Sequence, residues 1–354
     1  MRIAIYNQHF RTLGGGERRS LALAAHLAQR HEVTIIAEAA VPAETLQRIF
    51  AIDPAGVRWL DAPGWGRSGE PEERFDVFIN NSHLSDLPNP ARFGVYMCMF
   101  PEGERPNLSS YQVVTANSAF TAAWIARKWG VDARVVYSAC QDMGPPARKQ
   151  NIILNVGRFF AADGNAHHKH QGVLLQSFLD MRRAGLEGWE LHLIGNCGQA
   201  EQDRAFLADL RRRAEGQPVR IETGVEFDAL RQRYRDAALY WHATGFEVVE
   251  DETPSACEHF GMAIVEAMSA GATPFAVRAG GPREIIQDGV DGFLWSTPDE
   301  LQQMSWRLIR PDWRARIGLA PNLNRMSRRA VARSRRFTLR AFLAHMDEIV
   351  GMAA

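Results

Sequence analysis

The chain has 354 residues, enough for two domains of ordinary size, each with its own core. Hydrophobic residues make up 46% and charged residues 23%, which excludes a disordered or low-complexity protein. Lys plus Arg and Asp plus Glu stand at 41 each, so the chain lacks the global basic field that marks a nucleic-acid binder.

Arg2 to Tyr6 is a short apolar run that reads as a buried first strand. Leu21, Ala24, Ala25 and Ala28 then recur at helical spacing within Glu17 to Gln29. The loop between them holds Gly14, Gly15 and Gly16. It fits neither a dinucleotide fingerprint, because Arg19 stands at the third glycine position, nor a P-loop, because no Gly-Lys-Ser/Thr follows. Three glycines ahead of a helix suit an oxyanion contact, and the plainer alternative is a flexible connection. Val33 to Ala37, Phe75 to Ile79, Phe93 to Met97 and Val113 to Ala116 are further strand candidates, with helical stretches between some of them. Uninterrupted β-branched runs of this kind belong to parallel sheets covered on both faces. Ligands of such sheets collect beyond the carboxyl ends of the strands, which gives weight to Asn80-Asn81-Ser82-His83. Asn117 or Ser118 caps a helix running to about Trp129, and a strand is expected over Ala133 to Tyr137. Asp142 to Arg148, rich in Gly and Pro, is the best linker by composition.

The pattern restarts with Ile152 to Val156, which ends in Gly157-Arg158, and Lys169 opens a helix about a dozen residues later. An Arg at a strand's end and a Lys at a helix start can converge on a pyrophosphate, neutralising charge that grows on a leaving nucleoside diphosphate. His167, His168 and His170 lie beside Lys169 without acidic or cysteine partners at a metal-site spacing. They read as solvated or phosphate-adjacent, and no metal is expected. Glu190 to Ile194 and Leu239 to Ala243 are strands, with helices from about Asp203 and Phe227, and with Gly195-Asn196 and Thr223-Gly224 in loops. Glu247, Glu250, Asp251 and Glu252 make Phe246 to Ser255 an acidic loop, read as a solvated rim rather than a metal site.

The stretch Ala256 to Gly271, ACEHFGMAIVEAMSAG, organises the rest. Glu258 and Glu266 flank the turn His259-Phe260-Gly261, which runs into a helix. A helix N-terminus presents unpaired amides and partial positive charge, a natural seat for an anion or a set of hydroxyls. Gly261, having no Cβ, lets those amides approach a ligand. Glu266, about one turn in, can accept two hydrogen bonds from a vicinal diol, and Glu258 faces the same space. The alternative is a solvated Glu266 on an amphipathic helix. Ile264, Val265 and Met268 around it argue instead for a carboxylate that has a partner. Two carboxylates also suit a retaining glycosidase, whose defining separation is spatial and not given by sequence spacing.

EHFGMAIVEAMSAG, followed by GGPREIIQDGVDGFLW, resembles the E-x7-E signature of the retaining glycosyltransferases of family 4. The EHFG form is similar to that of the lipid-linked oligosaccharide mannosyltransferases within the family. The NS-x-F pattern at Asn117 to Phe120 is shared, while the prolines that usually follow the next strand are replaced by Ser138-Ala139-Cys140. The resemblance covers most of the chain and is strongest from Ala256 to Trp295. It implies an α/β chain of GT-B fold, two Rossmann-like domains facing a cleft, with a last helix crossing back to the first. The corresponding ranges are 1–145, 146–335 and 336–354.

By the same resemblance the co-substrate is a nucleoside-diphosphate sugar, with no cofactor. Glu266 would hold the ribose and Arg158 with Lys169 the diphosphate. The sugar would meet Glu258, Phe260 and the amides of Gly261, Met262 and Ala263, with His83 reaching it from the first domain. Gly15 and Gly16 would lie near the donor phosphates and acceptor, and Gly195 and Gly224 near the base. Catalysis would rest on Glu258, His83, Arg158 and Lys169 through positioning and leaving-group stabilisation. GDP-mannose is the favoured donor, and the acceptor is a glycan, lipid-linked or small-molecule hydroxyl. A sugar-nucleotide epimerase or hydrolase of the same fold, or a sugar-nucleotide-binding protein without turnover, are the rival readings.

Cys98, Cys140, Cys197 and Cys257 form no CxxC pair, so a reducing compartment is expected. No run of about 18 apolar residues occurs, and the first residues enter a strand directly, which points to the cytoplasm. Arg325, Arg328, Arg329, Arg333, Arg335, Arg336 and Arg340 precede or enter the amphipathic segment Phe337 to Val350. Such a run is ordinarily a solvated face. It also suits peripheral contact with anionic headgroups at the inner membrane face.

Overall fold

The computed structural model describes residues 1–62, 74–162, 168–311 and 321–354. Strands β1 (Arg2–Tyr6) and β2 (Glu32–Ala37) bury every residue after the first, and β4 (Val77–Asn80) and β5 (Phe93–Cys98) are buried throughout. Runs without a polar face form because helices cover the sheet on both sides. With β3 (Val57–Asp61), β6 (Val113–Ala116) and β7 (Arg134–Val135) they make a seven-stranded sheet in the order β3-β2-β1-β4-β5-β6-β7, each pair parallel. Alternate residues of a strand face opposite ways. Ile3 and Ile5 enter a core with Leu21, Leu23 and Leu27 of α1 (Gly15–Leu27) and Leu46 of α2 (Ala43–Phe50). Ala4 and Tyr6 enter another with Phe78, Tyr96 and, from α3 (Ala119–Trp129), Ile125 and Trp129. Ser118 caps α3, its hydroxyl accepting from the Thr121 amide at 3.0 Å, and Gly130 ends the helix at φ 63°.

The second half repeats the scheme. Strands β8 (Gln150–Val156), β9 (Glu190–Ile194), β10 (Val219–Glu222), β11 (Ala237–Trp241), β12 (Thr273–Val277) and β13 (Phe293–Trp295) form a six-stranded parallel sheet in the order β10-β9-β8-β11-β12-β13. Its helices are α4 (Gln171–Arg183), α5 (Glu201–Ala214), α6 (Phe227–Asp236), α7 (Met262–Ser269), α8 (Pro282–Ile285), α9 (Pro298–Ile309) and α10 (Leu323–Ser334). In each sheet the strand order reverses beside the first strand of its set, between β1 and β4 and between β8 and β11. These reversals open the crevices where doubly wound sheets take ligands.

The chain divides into two compact units, Met1–Ala139 with Leu339–Ala354, and Cys140–Thr338. Helix α11 (Leu339–Gly351) belongs to the first, burying Phe342, Met346, Ile349 and Val350 in the core behind α1. The α/β class expected from the sequence, two Rossmann-like parallel sheets, is the one found. Several local expectations shift. The short strands β3, β10 and β13 were not anticipated, and β7 is two residues long where five were expected. Helix α1 starts at Gly15, so Gly15 and Gly16 form its first turn rather than a loop. Lys169 lies before α4, and β11 ends at Trp241, leaving His242 beyond its carboxyl end.

Candidate active site

The second unit's strand-order reversal gathers three charged or polar side chains from three loops. His242 follows β11, Lys169 precedes α4, and Glu258 precedes the turn into α7. Lys169 Nζ donates to Glu258 Oε2 at 3.0 Å, and His242 Nε2 lies 3.1 Å from the same oxygen. Lys169 and Glu258 side chains are 22% and 19% exposed, while that of His242 is 5% exposed. Burial pushes the Glu258 carboxyl up, but the Lys169 ammonium and the bond and charge of His242 outweigh it and hold the group well below the usual carboxylate range. Glu258 is thus an anion with fixed orientation. Thr244 Oγ1 sits 3.3 Å from His242 Nε2.

The signature turn depends on three glycines. Gly261 caps α7 at φ 113°, and a Cβ there would meet Ile264 Cδ1 at 2.8 Å. Beneath the turn, a Cβ on Gly280 would lie 2.4 Å from the Glu258 carbonyl oxygen, and one on Gly281 2.5 Å from that of His259. The GG pair of GGPRE therefore presses its backbone against EHFG, and Gly281 N donates to Glu258 O at 2.8 Å. Ile264 N turns back to Gly261 O at 3.0 Å. The amides of Met262 and Ala263 belong to the first turn, where no helix carbonyl stands behind them. Phe260 is buried against Phe337 with ring centroids 5.6 Å apart, so its ring serves packing. The partner that Glu266 requires is Tyr234, whose hydroxyl donates to Glu266 Oε2 at 3.3 Å. Burial and the adjacent Glu266 push the Tyr234 phenol well up, keeping it a donor.

The backbone just before Arg158 packs against the Lys169 stem. A Cβ on Gly157 would touch Lys169 Cγ at 3.2 Å, and the next residue, Arg158, is exposed with its guanidinium 4.8 Å over the Phe160 ring. Gln171, fully buried, donates from Nε2 to the carbonyls of both Gly157 and Arg158 at 3.1 Å, fixing this loop to the start of α4. Gly195 is a close-packing residue: a Cβ would fall 2.0 Å from Gly157 O. Gly224 is open, at φ 68°, with its amide donating to Asn196 Oδ1 at 3.2 Å. His168 Nδ1 meets Phe160 O at 2.6 Å, and its ring lies 4.4 Å from that of His170. Burial, then His168, His242 and Lys169, push His170 down to about 4, so it is neutral at pH 7. These two histidines are half-buried rather than solvated. His167 lies outside the described residues. In the acidic loop Glu247, Asp251 and Glu252 are exposed as expected, whereas Glu250 accepts from Gly280 N at 3.0 Å and Arg283 at 2.5 Å.

The first unit holds a separate cluster. Glu17 closes the glycine turn, accepting from Gly14 N at 2.7 Å and Thr12 Oγ1 at 2.8 Å. Asn81, beyond β4, donates to Gly16 O at 3.1 Å and Ser20 Oγ at 2.6 Å, and Asn7, beyond β1, reaches the same Ser20 at 3.3 Å. Arg19, 6% exposed, bonds Asn81 Oδ1. Burial pushes its guanidinium down to about 10, still charged at neutral pH. The glycine turn is therefore held, not flexible. His83 is 37% exposed and 3.7 Å from Glu102. Sequence reasoning singled out Asn81 by its place just past a strand, but missed His242, Tyr234 and Gln171. The signal for His242 was the same: its place just past a β-strand at a strand-order reversal.

Residues 144–310, within the second unit, match the family model described as Glycosyl transferases group 1. The chain is 27% identical over 208 residues to the GDP-Man:Man(3)GlcNAc(2)-PP-Dol alpha-1,2-mannosyltransferase of Xenopus laevis, covering 54% of this chain and 40% of that protein. A sucrose synthase of Thermosynechococcus vestitus is 47% identical over 57 residues, 16% of this chain and 7% of the relative. The chain thus spans less than half the length of these curated relatives. The crystal structure of Anabaena HepE in complex with UDP and glucose superposes with a TM-score of 0.72 at 16% identity, covering 99% of this chain and 100% of that one. At that identity the likeness is one of fold, and the fold is GT-B.

Proposed function

We propose that the protein transfers a sugar from a nucleoside diphosphate to an acceptor hydroxyl with retention at the anomeric carbon. The observation that carries this is the Lys169–Glu258–His242 constellation at the second sheet's strand-order reversal, beside the free amides of α7 and within the matched glycosyltransferase segment. In the proposed reaction the bond from the anomeric carbon to the diphosphate oxygen breaks and a bond to the acceptor oxygen forms. The acceptor proton leaves with the diphosphate. Arg158 and Lys169 stabilise the charge that develops on that leaving group, and the first-turn amides of α7 add donors. Glu258, held ionised, accepts from a sugar hydroxyl, and Glu266, oriented by Tyr234, accepts from the ribose diol.

The names of the relatives set the order of trial: GDP-mannose first, because of the Xenopus mannosyltransferase, and UDP-glucose second, because of the Anabaena complex with UDP and glucose. The reading extends to an acceptor at a membrane, supported by the exposed Arg325, Arg328, Arg329, Arg335 and Arg336 on and just after α10. The test is calorimetric titration with UDP-, GDP- and ADP-sugars, repeated on Glu266→Ala. Binding of one donor that the substitution weakens supports the reading. Failure of every donor to bind refutes it, and turnover without any acceptor would move the assignment to a hydrolase or epimerase.

A further inference from the structure

Glu258 takes its bonds from Lys169 and His242 on one oxygen, Oε2. A carboxylate accepts at both oxygens, so this arrangement leaves Oε1 to a ligand. It also sets a conflict. Lys169 is the cation that the donor-site reading directs at phosphate, and an ammonium drawn to a diphosphate weakens its bond to Glu258. A half-buried carboxylate that loses its partner would rise in pKa or turn away. The other polar neighbour of His242 Nε2, Thr244 Oγ1 at 3.3 Å, is farther than Glu258 Oε2 at 3.1 Å. It is 4% exposed, it follows the buried strand β11, and its position is set by backbone bonding: His242 N donates to Phe275 O at 2.8 Å. Because an ionised Glu258 only accepts, His242 Nε2 must carry the hydrogen that points at Oε2. Its other nitrogen, Nδ1, is buried and without a hydrogen-bond partner among the described residues. A buried imidazole that leaves one nitrogen unpaired to put the other on a carboxylate is placed for that carboxylate.

We infer that His242 is a positioning residue for sugar recognition: its Nε2–H holds Glu258 by Oε2, keeping Oε1 turned to a hydroxyl of the donor's sugar while Lys169 serves the diphosphate. The inference rests on the donor-site reading above, and it divides binding into two parts. The nucleoside diphosphate owes nothing to His242. The sugar does.

The experiment compares Kd values for GDP against GDP-mannose and for UDP against UDP-glucose in the wild type, His242→Ala and His242→Gln. Loss of a hydrogen bond to a charged group predicts that His242→Ala weakens the sugar nucleotide about tenfold while the matching diphosphate changes by less than about twofold. His242→Gln, whose Nε2 replaces the ring donor, restores most of the loss. Equal weakening of both ligands, no change in either, or no recovery with Gln overturns the inference. A wild type that binds none of the four overturns the donor reading and this inference together, whereas wild-type binding without the selective effect removes only this one. A readout that needs no variant to fold is the imidazole nitrogen spectrum of the wild type. The His242 ring is expected to carry a proton on Nε2, and a neutral ring protonated on Nδ1 alone would contradict the inference.

Discussion

A methyl group on Gly195 would lie 2.0 Å from the Gly157 carbonyl oxygen, and that oxygen belongs to backbone that Gln171 and β8 hold in place. Gly195→Ala should therefore cost about 3 kcal/mol or more, because nothing flexible can give way. Gly224→Ala faces open space and only the strain of φ 68°, worth about 1 kcal/mol. Chemical denaturation of the pair measures the contrast, and similar losses would mean that the close approach is not the constraint. A pH effect is also local. His170 sits at about 4 against an ordinary value of 6.5, so between those values the unfolded chain binds more protons and stability falls as pH drops from about 6.5 toward 4. His170→Asn, which tolerates the φ of 50° at this position and does not titrate, should flatten that part of the stability curve. An unchanged slope would assign the acid sensitivity elsewhere. Glu258 and Lys169 were legible separately, Glu258 from its place before the signature turn and Lys169 from its place at a helix start, but not as a pair. His242 was not: in the run YWHATG it reads as one more residue of an apolar strand, and its role appears only once β11 stops at Trp241.

Helix α11 shows what an element contributes when it closes a core from a distance in the chain. Met346 and Ile349 are fully buried among Leu23, Leu27 and the β1 side chains of the first unit, and Asp347 meets His26 at 2.9 Å and Arg30 at 2.7 Å. Met346→Ala should cost about 2–5 kcal/mol, the range for a large side chain deleted from a core. The exposed ion pair of Arg30 should be worth less than about 1 kcal/mol, so Arg30→Ala is the control. A Met346→Ala loss no larger than the control's would show that α11 is held by charge rather than by burial. The helix itself was legible from its apolar period within Phe337 to Val350. The strands β3 and β10 were not, because VRWLD and VRIE are half-exposed segments that put charges among their apolar residues, and only pairing to β2 and β9 makes them strands.

At the scale of the molecule, the alternation of strand and helix was enough to read two Rossmann-like sheets, and the E-x7-E segment singled out the second for the proposed donor site. What the sequence did not reveal was how polar residues from distant loops meet, since Asn7 with Asn81 and Lys169 with His242 are joined only by strand order. The arginines on and after α10 give a prediction for the protein as a whole. Binding to vesicles containing phosphatidylserine should be strong at low ionic strength and fade with salt, and the Arg328→Glu, Arg329→Glu double variant should lose most of it. Equal binding to neutral vesicles would show that the arginines do not drive the contact, and no binding to either kind would remove it.

The division of the chain also bears on how the molecule is made. Residues Leu339–Ala354 complete the core of the unit formed by Met1–Ala139, yet the whole of Cys140–Thr338 must leave the ribosome before they can. During synthesis the β1 to β7 sheet waits with the face behind α1 partly bare, while the later unit has all its own segments in hand and can finish first. The last helix made is therefore the one that covers the first unit's core, and until it is made apolar surface on that unit stays open.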